Sequence, residues 1–138
     1  MKFSFEALGT TWWIELFENP SNKNLDEVKN FVEVFASVYE KKYSRFLADS
    51  QISILNRERS FQNPSPEFVQ LLEYGKRLYL RSDTYFNLLT GHILESKGYD
   101  ASYSFNATGS IETAGNPITD LTITPGLIEL KHGNIDLG

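Results

Sequence analysis

The spacing of apolar residues changes along this chain, and that change constrains the fold more than any single motif does. Residues 2–7 alternate between polar and apolar side chains and residues 12–17 fit the same period, as strands do. From Asn24 onward the apolar residues recur every three or four positions, which predicts a helix. Six of the nine glycines follow residue 97, where turns and short strands replace the helical spacing. The predicted order is strands, then helices, then strands.

Local signals predict where these elements begin. The break at residues 8–11 contains a glycine that tolerates positive φ, which predicts a hairpin. Asn24 and Glu27 form a capping box for the first long helix, whose apolar face is expected to pack into the core. The other predicted caps are Ser65, before Pro66 in a second long helix, and Asp49 or Ser50, either of which begins a short helix.

The C-terminal part predicts a loop and short strands. Residues 101–117 are rich in Ser, Thr, Asn and Gly and are expected to form a long surface loop. Strand signals follow at 121–124, 127–130 and 135–137. We therefore predict an α+β fold in one domain, residues 1–138, with an antiparallel or mixed sheet from both ends of the chain packed by two amphipathic helices.

Composition narrows the function classes. The 138 residues carry 13 basic and 18 acidic side chains, and the net charge of −5 argues against nucleic acid as a partner. Cysteine is absent, which excludes disulfides and thiol chemistry. The first residues lack the apolar stretch of a signal peptide, and no stretch approaches the roughly 20 apolar residues of a membrane span. We expect a soluble, cytoplasmic protein.

Generic catalytic motifs are missing. The sequence contains no phosphate-binding loop, dinucleotide-binding glycine turn, zinc-binding helix motif or nucleophile elbow. A structural role is favoured for His92, and a solvated turn position for His132. Arg45 lies between Tyr43 and Phe46, where its guanidinium either forms a structural ion pair, the favoured interpretation, or stacks and holds a phosphate.

Five short motifs follow one another at separated positions. They are A-L-G-T-T-W (7–12), Y-S-R-F with D-S-Q-I-S and L-N (43–56), S-P-E-F (65–68), S-D-T-Y-F-N with Gly91 (82–91), and I-D-L-G (135–138). In this order they resemble the FAD:protein FMN transferases, the ApbE family. The resemblance extends over essentially the whole chain but only over the N-terminal half of that family's domain.

The resemblance implies a set of FAD contacts. Leu8 stands where the family usually has a methionine that contacts flavin, and Phe46 stands at an aromatic flavin contact. Residues 85–87 match the family's A-F-D site, with asparagine in place of aspartate, and Asp136 matches the start of its D-L-G-G motif near the FAD. The expected FAD-binding residues are therefore Leu8, Phe46, Tyr85, Phe86, Asn87 and Asp136.

The resemblance also implies a reaction. FMN passes from FAD, a substrate, to a threonine or serine hydroxyl of a target flavoprotein, with Mg²⁺ at the pyrophosphate and AMP as leaving group. The family motifs that supply most Mg²⁺ ligands have no counterpart before Gly138, so no metal ligand is assigned in this chain. We expect the chain to be the front part of a transferase and inactive alone.

Two other interpretations remain open. The chain is a non-catalytic module that binds a flavin or a protein, or it is half of a split domain that associates with another copy through an open sheet edge. FAD titration with and without Mg²⁺ tests whether the chain binds flavin at all, and size-exclusion chromatography tests self-association.

Overall fold

The first two strands form the predicted hairpin. In the computed structural model, which describes residues 1–17, 22–100, 102, 104–109 and 112–137, β1 (Lys2–Ala7) pairs antiparallel with β2 (Thr10–Glu15). Leu8 and Gly9 connect them with φ values of 55° and 70°. Two positive φ values are what a two-residue type I′ turn requires, and this turn matches the twist of the flanking strands.

Three longer helices follow, and side-chain hydroxyls cap two of them. They are α1 (Asn22–Tyr43), α2 (Gln51–Glu58) and α3 (Pro66–Arg81). Ser50 Oγ accepts a hydrogen bond from Ser53 N at 3.0 Å, and Ser65 Oγ accepts one from Phe68 N at 3.2 Å. Both caps confirm the prediction, with Ser50 rather than Asp49 in the cap position of α2.

The second sheet contains a strand that the sequence pattern missed. The sheet has the order β3-β5-β4, with all neighbours antiparallel, and comprises β3 (Ser60–Gln62), β4 (Leu121–Thr124) and β5 (Leu127–Leu130). Three residues of β3 are too few to show alternation. The predicted strand at 135–137 does not form, because the side chain of Asn56 takes both backbone hydrogen bonds of Ile135.

The α+β class with antiparallel strands is confirmed, but the strands are distributed differently. Within the described residues the hairpin does not pair with the second sheet, so the two ends of the chain form separate sheets. Two short helices, α4 (Gly91–Ser96) and α5 (Pro117–Asp120), complete the order of elements. Of the predicted loop at 101–117, the described residues before Pro117 form neither helix nor strand. No described helix has both the length and the apolar character needed to cross a bilayer.

The core lies between α2, α3 and the second sheet. Gly75 of α3 lets this helix approach Leu88 closely, since a Cβ atom there would lie 2.5 Å from Leu88 Cδ2. Glycine lowers helix stability by roughly 1 kcal/mol relative to alanine, and this close packing explains its presence inside α3. The largest fully buried side chains of the core are Phe68, Ile52, Leu55, Leu72, Leu88, Leu89, Leu121, Ile128 and Ile135.

Helix α1 contributes less to this core than predicted. It begins two residues before Asn24, so the predicted capping box lies inside the helix and was wrong. Its apolar face was expected to be buried, yet Phe31 is 69% exposed and Phe35 is 60% exposed. The helix packs on the core through its C-terminal end, where Tyr43 stacks on Phe68 with ring centroids 5.6 Å apart.

Candidate functional site

A cleft of about 440 Å³ opens where the hairpin turn meets the C-terminal end of α1. Leu8 of the turn, Phe46 of the connection between α1 and α2, and Asp136 of the C-terminal segment all line it. Tyr43 and Tyr99 line it as well, so we call it the aromatic cleft. Its volume lies within the range of small-molecule sites, roughly 300–1,000 Å³.

Leu8 lines the cleft, and its backbone is strained. Its φ of 55° lies in the left-handed region, which costs a residue with a side chain roughly 1–2 kcal/mol. Such strain persists where the surrounding structure holds it, and it clusters at ligand sites. A leucine rather than an asparagine in this turn therefore favours a role for its side chain.

A second, more apolar cleft adjoins the first. It measures about 560 Å³ and lies between the hairpin and α1, where Phe5 and Trp12 face Phe35. Leu8, Tyr39 and Leu137 line both clefts and so lie where the two meet. We call this the hairpin cleft.

Arg45 joins the aromatic cleft to the C-terminal segment. Its side chain is only 3% exposed, and its Nε donates to Asp136 Oδ2 at 2.9 Å. Its Nη1 lies 3.3 Å from Glu95 Oε1, and its Nη2 donates to the carbonyl of Tyr99 at 2.6 Å. The favoured interpretation of Arg45 as a structural ion pair is confirmed. Buried charge requires such pairing, because an unpaired guanidinium in the interior is costly.

Two aromatic rings stand beside this guanidinium. The Arg45 guanidinium carbon lies 4.1 Å from the centroid of the Phe46 ring and 5.8 Å from that of the Tyr99 ring. The Phe46 and Tyr99 rings meet edge to face, with centroids 6.3 Å apart. This arrangement suits the positive edge and negative face of aromatic rings, with the cation over a ring face.

Hydrogen bonds to the preceding residue, Ile135, help to position Asp136. Asn56 donates from Nδ2 to the carbonyl of Ile135 at 2.9 Å and accepts from the amide of Ile135 at 2.7 Å. The amide of Asp136 donates to the carbonyl of Leu88 at 2.9 Å. The backbone that leads into Asp136 is therefore fixed to α2 and to the core.

The other three predicted contacts lie elsewhere. Among the described residues that line the two clefts, none comes from Tyr85, Phe86 or Asn87. Tyr85 is 94% exposed, and Asn87 hydrogen-bonds to the backbone, donating to Gly115 O and accepting from Leu89 N, each at 2.8 Å. The fold brings together Leu8, Phe46 and Asp136 and leaves residues 85–87 outside the clefts.

A tyrosine in the aromatic cleft is held by a carboxylate. The Tyr43 hydroxyl donates to Glu67 Oε2 at 2.7 Å, and Lys42 Nζ donates to the same oxygen at 2.8 Å. Burial, with a further contribution from Glu67, raises the pKa of the Tyr43 phenol. The hydrogen bonds from Lys42 and Tyr43 lower the pKa of Glu67. Tyr43 therefore stays a neutral phenol whose proton points at Glu67 rather than at a ligand.

Both histidines bind the same backbone carbonyl. The Nε2 atoms of His92 and His132 lie 3.0 Å and 3.2 Å from the carbonyl oxygen of Thr113, and Asn134 N donates to His92 Nδ1. The structural role favoured for His92 is confirmed, whereas His132 is hydrogen-bonded rather than simply solvated. Neither histidine lines the aromatic cleft among the residues described there.

Sequence reasoning missed two residues of this site. Tyr99 follows a glycine in a stretch without periodicity, so nothing local distinguishes it from a loop tyrosine. Asn56 belongs to one of the five motifs, but the motif alone does not show that its amide holds a segment 79 residues away. The available signal was an asparagine directly after the inward-facing Leu55 of a short amphipathic helix.

Comparison with known proteins points to one family. The sequence model of the ApbE family matches residues 8–138. No curated protein sequence matches the chain significantly.

Three solved structures have a similar fold. The apo flavinyl transferase ApbE from Pseudomonas stutzeri is 19% identical, with a TM-score of 0.68, over 99% of this chain and 48% of that one. The flavin transferase ApbE from Vibrio cholerae is 16% identical, with a TM-score of 0.71, over 99% and 47%. The ApbE protein from Thermotoga maritima is 17% identical, with a TM-score of 0.82, over 99% and 47%. The chain thus spans about half the length of these structures.

Proposed function

Because this chain belongs to the ApbE family, we propose that its aromatic cleft binds the isoalloxazine end of FAD as part of a flavin transferase site. The observation that carries this proposal is the convergence of Leu8, Phe46 and Asp136 on one cleft. The resemblance assigns each of them to FAD through a different motif. Three motifs that are distant in sequence but share one cavity support a common ligand.

The cleft lining suits a flat heteroaromatic ring. Phe46 and Tyr99 offer ring surfaces, while Leu8 and Leu137 add aliphatic surface. Contacts between aromatic rings contribute roughly 0.5–1.5 kcal/mol beyond the burial of their area. The carboxylate of Asp136 adds a polar group of fixed position. FAD is a long molecule, and residues 85–87 are proposed as contacts for a part of it outside the cleft.

The proposed reaction is the transfer of FMN to a target flavoprotein. A threonine or serine hydroxyl oxygen attacks the phosphorus on the FMN side of the FAD pyrophosphate, and its proton passes to solvent. The bond to the AMP phosphate breaks, and AMP leaves with the electron pair. FAD and the acceptor flavoprotein are both substrates in this scheme, which follows the pattern of other phosphoryl transfers.

The described residues do not by themselves fit Mg²⁺. Among them, no group of three or more His, Cys, Asp or Glu side chains is arranged to hold a metal ion. Asp136, the carboxylate of the C-terminal segment, is paired with Arg45. We therefore derive no step through the ion, and the proposal assigns Mg²⁺ to residues outside those described.

The lack of a metal-binding group among the described residues favours a second candidate function, a module that binds flavin without transferring it. Incubating the chain with FAD, Mg²⁺ and a threonine-bearing acceptor peptide separates the two candidates. Mass spectrometry of the peptide shows covalent FMN only if transfer occurs. FAD binding without modified peptide favours the binding module for this chain.

Titration of the chain with FAD, followed by flavin fluorescence, tests the proposed site. Phe46→Ala is expected to weaken FAD binding about tenfold, equivalent to about 1.4 kcal/mol. Phe31→Ala is the matched control, because Phe31 is an exposed phenylalanine of α1 that lines neither cleft among the described residues. Equal affinity in the wild type and in Phe46→Ala, or no FAD binding by the wild type, overturns the proposal.

A further inference from the structure

We propose that Tyr99 forms a second aromatic wall of the flavin site and that Arg45 positions it there. This inference rests on the proposed function. It gives roles to two residues for which the motifs above specify no contact with FAD.

The Tyr99 ring is placed to meet a ligand. It lines the aromatic cleft together with Phe46 and is 41% exposed, so part of its surface faces open space. The ring of Phe105 also meets the Tyr99 ring edge to face, with centroids 6.3 Å apart, the same distance as between Tyr99 and Phe46. A ring in contact with two others has less freedom to move, which lowers the entropy cost of stacking a ligand on it.

The described residues next to Tyr99 hydrogen-bond to one another. Phe105 N donates to the carbonyl of Gly98 at 2.9 Å, which closes the base of the loop. Gly98 has a φ of +86°, and a Cβ atom there would lie 2.6 Å from Phe105 Cα, so the closure requires glycine. The carboxylate of Asp100 accepts hydrogen bonds from the amides and hydroxyls of Ser102 and Ser104, which lower its pKa.

Arg45 attaches the backbone of Tyr99 to the other residues of the cleft. The backbone of Tyr99 is fixed on two sides, since its amide donates to the carbonyl of Leu94 at 2.9 Å and its carbonyl accepts from Arg45 at 2.6 Å. The same guanidinium holds Asp136 and lies over the Phe46 ring. One buried cation thus sets the relative positions of both aromatic walls and of the carboxylate.

The role requires the shape of a guanidinium as well as its charge. Arg45 uses Nε, Nη1 and Nη2 toward three different oxygens. An ammonium group has its three donors on one atom and cannot reach the same positions. Arg45 is a positioning residue in this scheme, because it acts on the ligand through Tyr99 and Asp136.

FAD affinity and bound-flavin emission test the role of Tyr99. Tyr99→Ala is expected to weaken FAD binding about tenfold, and Tyr99→Phe to keep the affinity within about twofold. A phenol in contact with an excited isoalloxazine quenches its emission by an electron transfer that then reverses, whereas a phenyl ring does not. Tyr99→Phe is therefore expected to bind FAD with brighter emission. Tyr74→Phe is the matched control, on the exposed side of α3.

A double-mutant cycle tests whether Arg45 acts through Tyr99. The affinity losses of Arg45→Lys and Tyr99→Ala are expected to be non-additive. Arg45→Lys weakens binding by displacing the Tyr99 ring, and this effect disappears once Tyr99→Ala has removed the ring. Arg45→Lys combined with Leu8→Ala is the control pair, expected to be additive. Circular dichroism confirms that each variant is folded.

The outcomes separate this inference from the proposed function. If the wild type binds FAD and Phe46→Ala weakens binding, while both Tyr99 variants match the wild type in affinity and emission, the function stands and the inference is overturned. Additive losses for Arg45 and Tyr99 overturn the positioning role. A wild type without affinity for FAD overturns both proposals.

Discussion

Asn56 shows how much one side chain can determine in this molecule. Its amide replaces a neighbouring strand for Ile135, donating and accepting one hydrogen bond with the backbone. The segment that carries Asp136 is therefore held against α2 instead of joining a sheet. At the scale of residues, the site is built by such long-range polar contacts: Asn56 with Ile135, and Arg45 with Asp136.

Removing the Asn56 amide tests this contact. Asn56→Ala leaves two backbone groups without their partner, which costs about 1–3 kcal/mol per buried unsatisfied group. We expect a lower free energy of unfolding in urea and weaker FAD binding, because residues 135–137 lose their fixed position. Asn30→Ala, an exposed substitution on α1, is the control and should change stability by less than about 0.5 kcal/mol. A variant as stable as the wild type would contradict the assigned role.

The burial of Tyr43, together with its hydrogen bond to Glu67, makes stability depend on alkaline pH. Folding raises the pKa of Tyr43, so the folded state favours the neutral phenol. The contribution is complete below the unfolded pKa of about 10 and is lost as pH rises above it. We expect the free energy of unfolding to fall as the pH rises above about 10, and to fall less in Tyr43→Phe. Tyr74→Phe should behave like the wild type, and identical curves for all three proteins would refute this origin.

At the scale of elements, the turn of the hairpin contains a residue that lowers stability and also lines the aromatic cleft. Leu8 occupies a turn position that favours asparagine, because Asn-Gly is the preferred pair for a type I′ turn. A sequence selected for stability alone would not place leucine there. The leucine in this strained turn therefore supports a role for its side chain in the lining of the aromatic cleft.

Leu8→Asn is expected to separate these two roles. Because asparagine adopts a positive φ at lower cost than leucine, the free energy of unfolding should rise by roughly 1 kcal/mol, while FAD affinity falls. Leu8→Ala is the matched control, since it removes the same cleft surface but keeps a strained backbone, so affinity should fall without a gain in stability. Thermal unfolding and FAD titration measure the two effects. If Leu8→Asn is less stable than Leu8→Ala, the strain argument fails.

The elements that the sequence predicted well are those determined by neighbouring residues. The turn at Leu8–Gly9, the Ser65 cap and the strands β4 and β5 all have local signals. β3 and the burial of α1 depend on distant partners, and so does the pairing of Arg45 with a carboxylate 91 residues away. The resemblance identified three residues of the cleft. Tyr99 lies outside the quoted motifs, so only the structure shows that it lines the cleft.

At the scale of the whole molecule, one face of α1 is apolar and exposed. Exposed apolar patches on one helix are typical of surfaces that contact other polypeptide surfaces. This face offers a route to self-association other than the open sheet edges predicted from the sequence. The exposed residues are Phe31, Val34, Phe35 and Val38.

Phe31→Lys tests which surface drives any self-association. Lysine at this position follows Glu27 by four residues, a spacing that stabilises a helix through the charge pair. We expect sedimentation velocity at high concentration to show less association than for the wild type, with FAD affinity unchanged. Unchanged association would instead indicate the sheet edges at β3 and β4.

Nuclear magnetic resonance of the labelled chain during titration with FAD shows whether the flavin lies in the aromatic cleft. The amide signals of Leu8, Phe46, Tyr99 and Asp136 are expected to shift together with one affinity, and that of Phe31 to stay in place. Shifts confined to Tyr85, Phe86 and Asn87, with the cleft signals unchanged, would contradict the account.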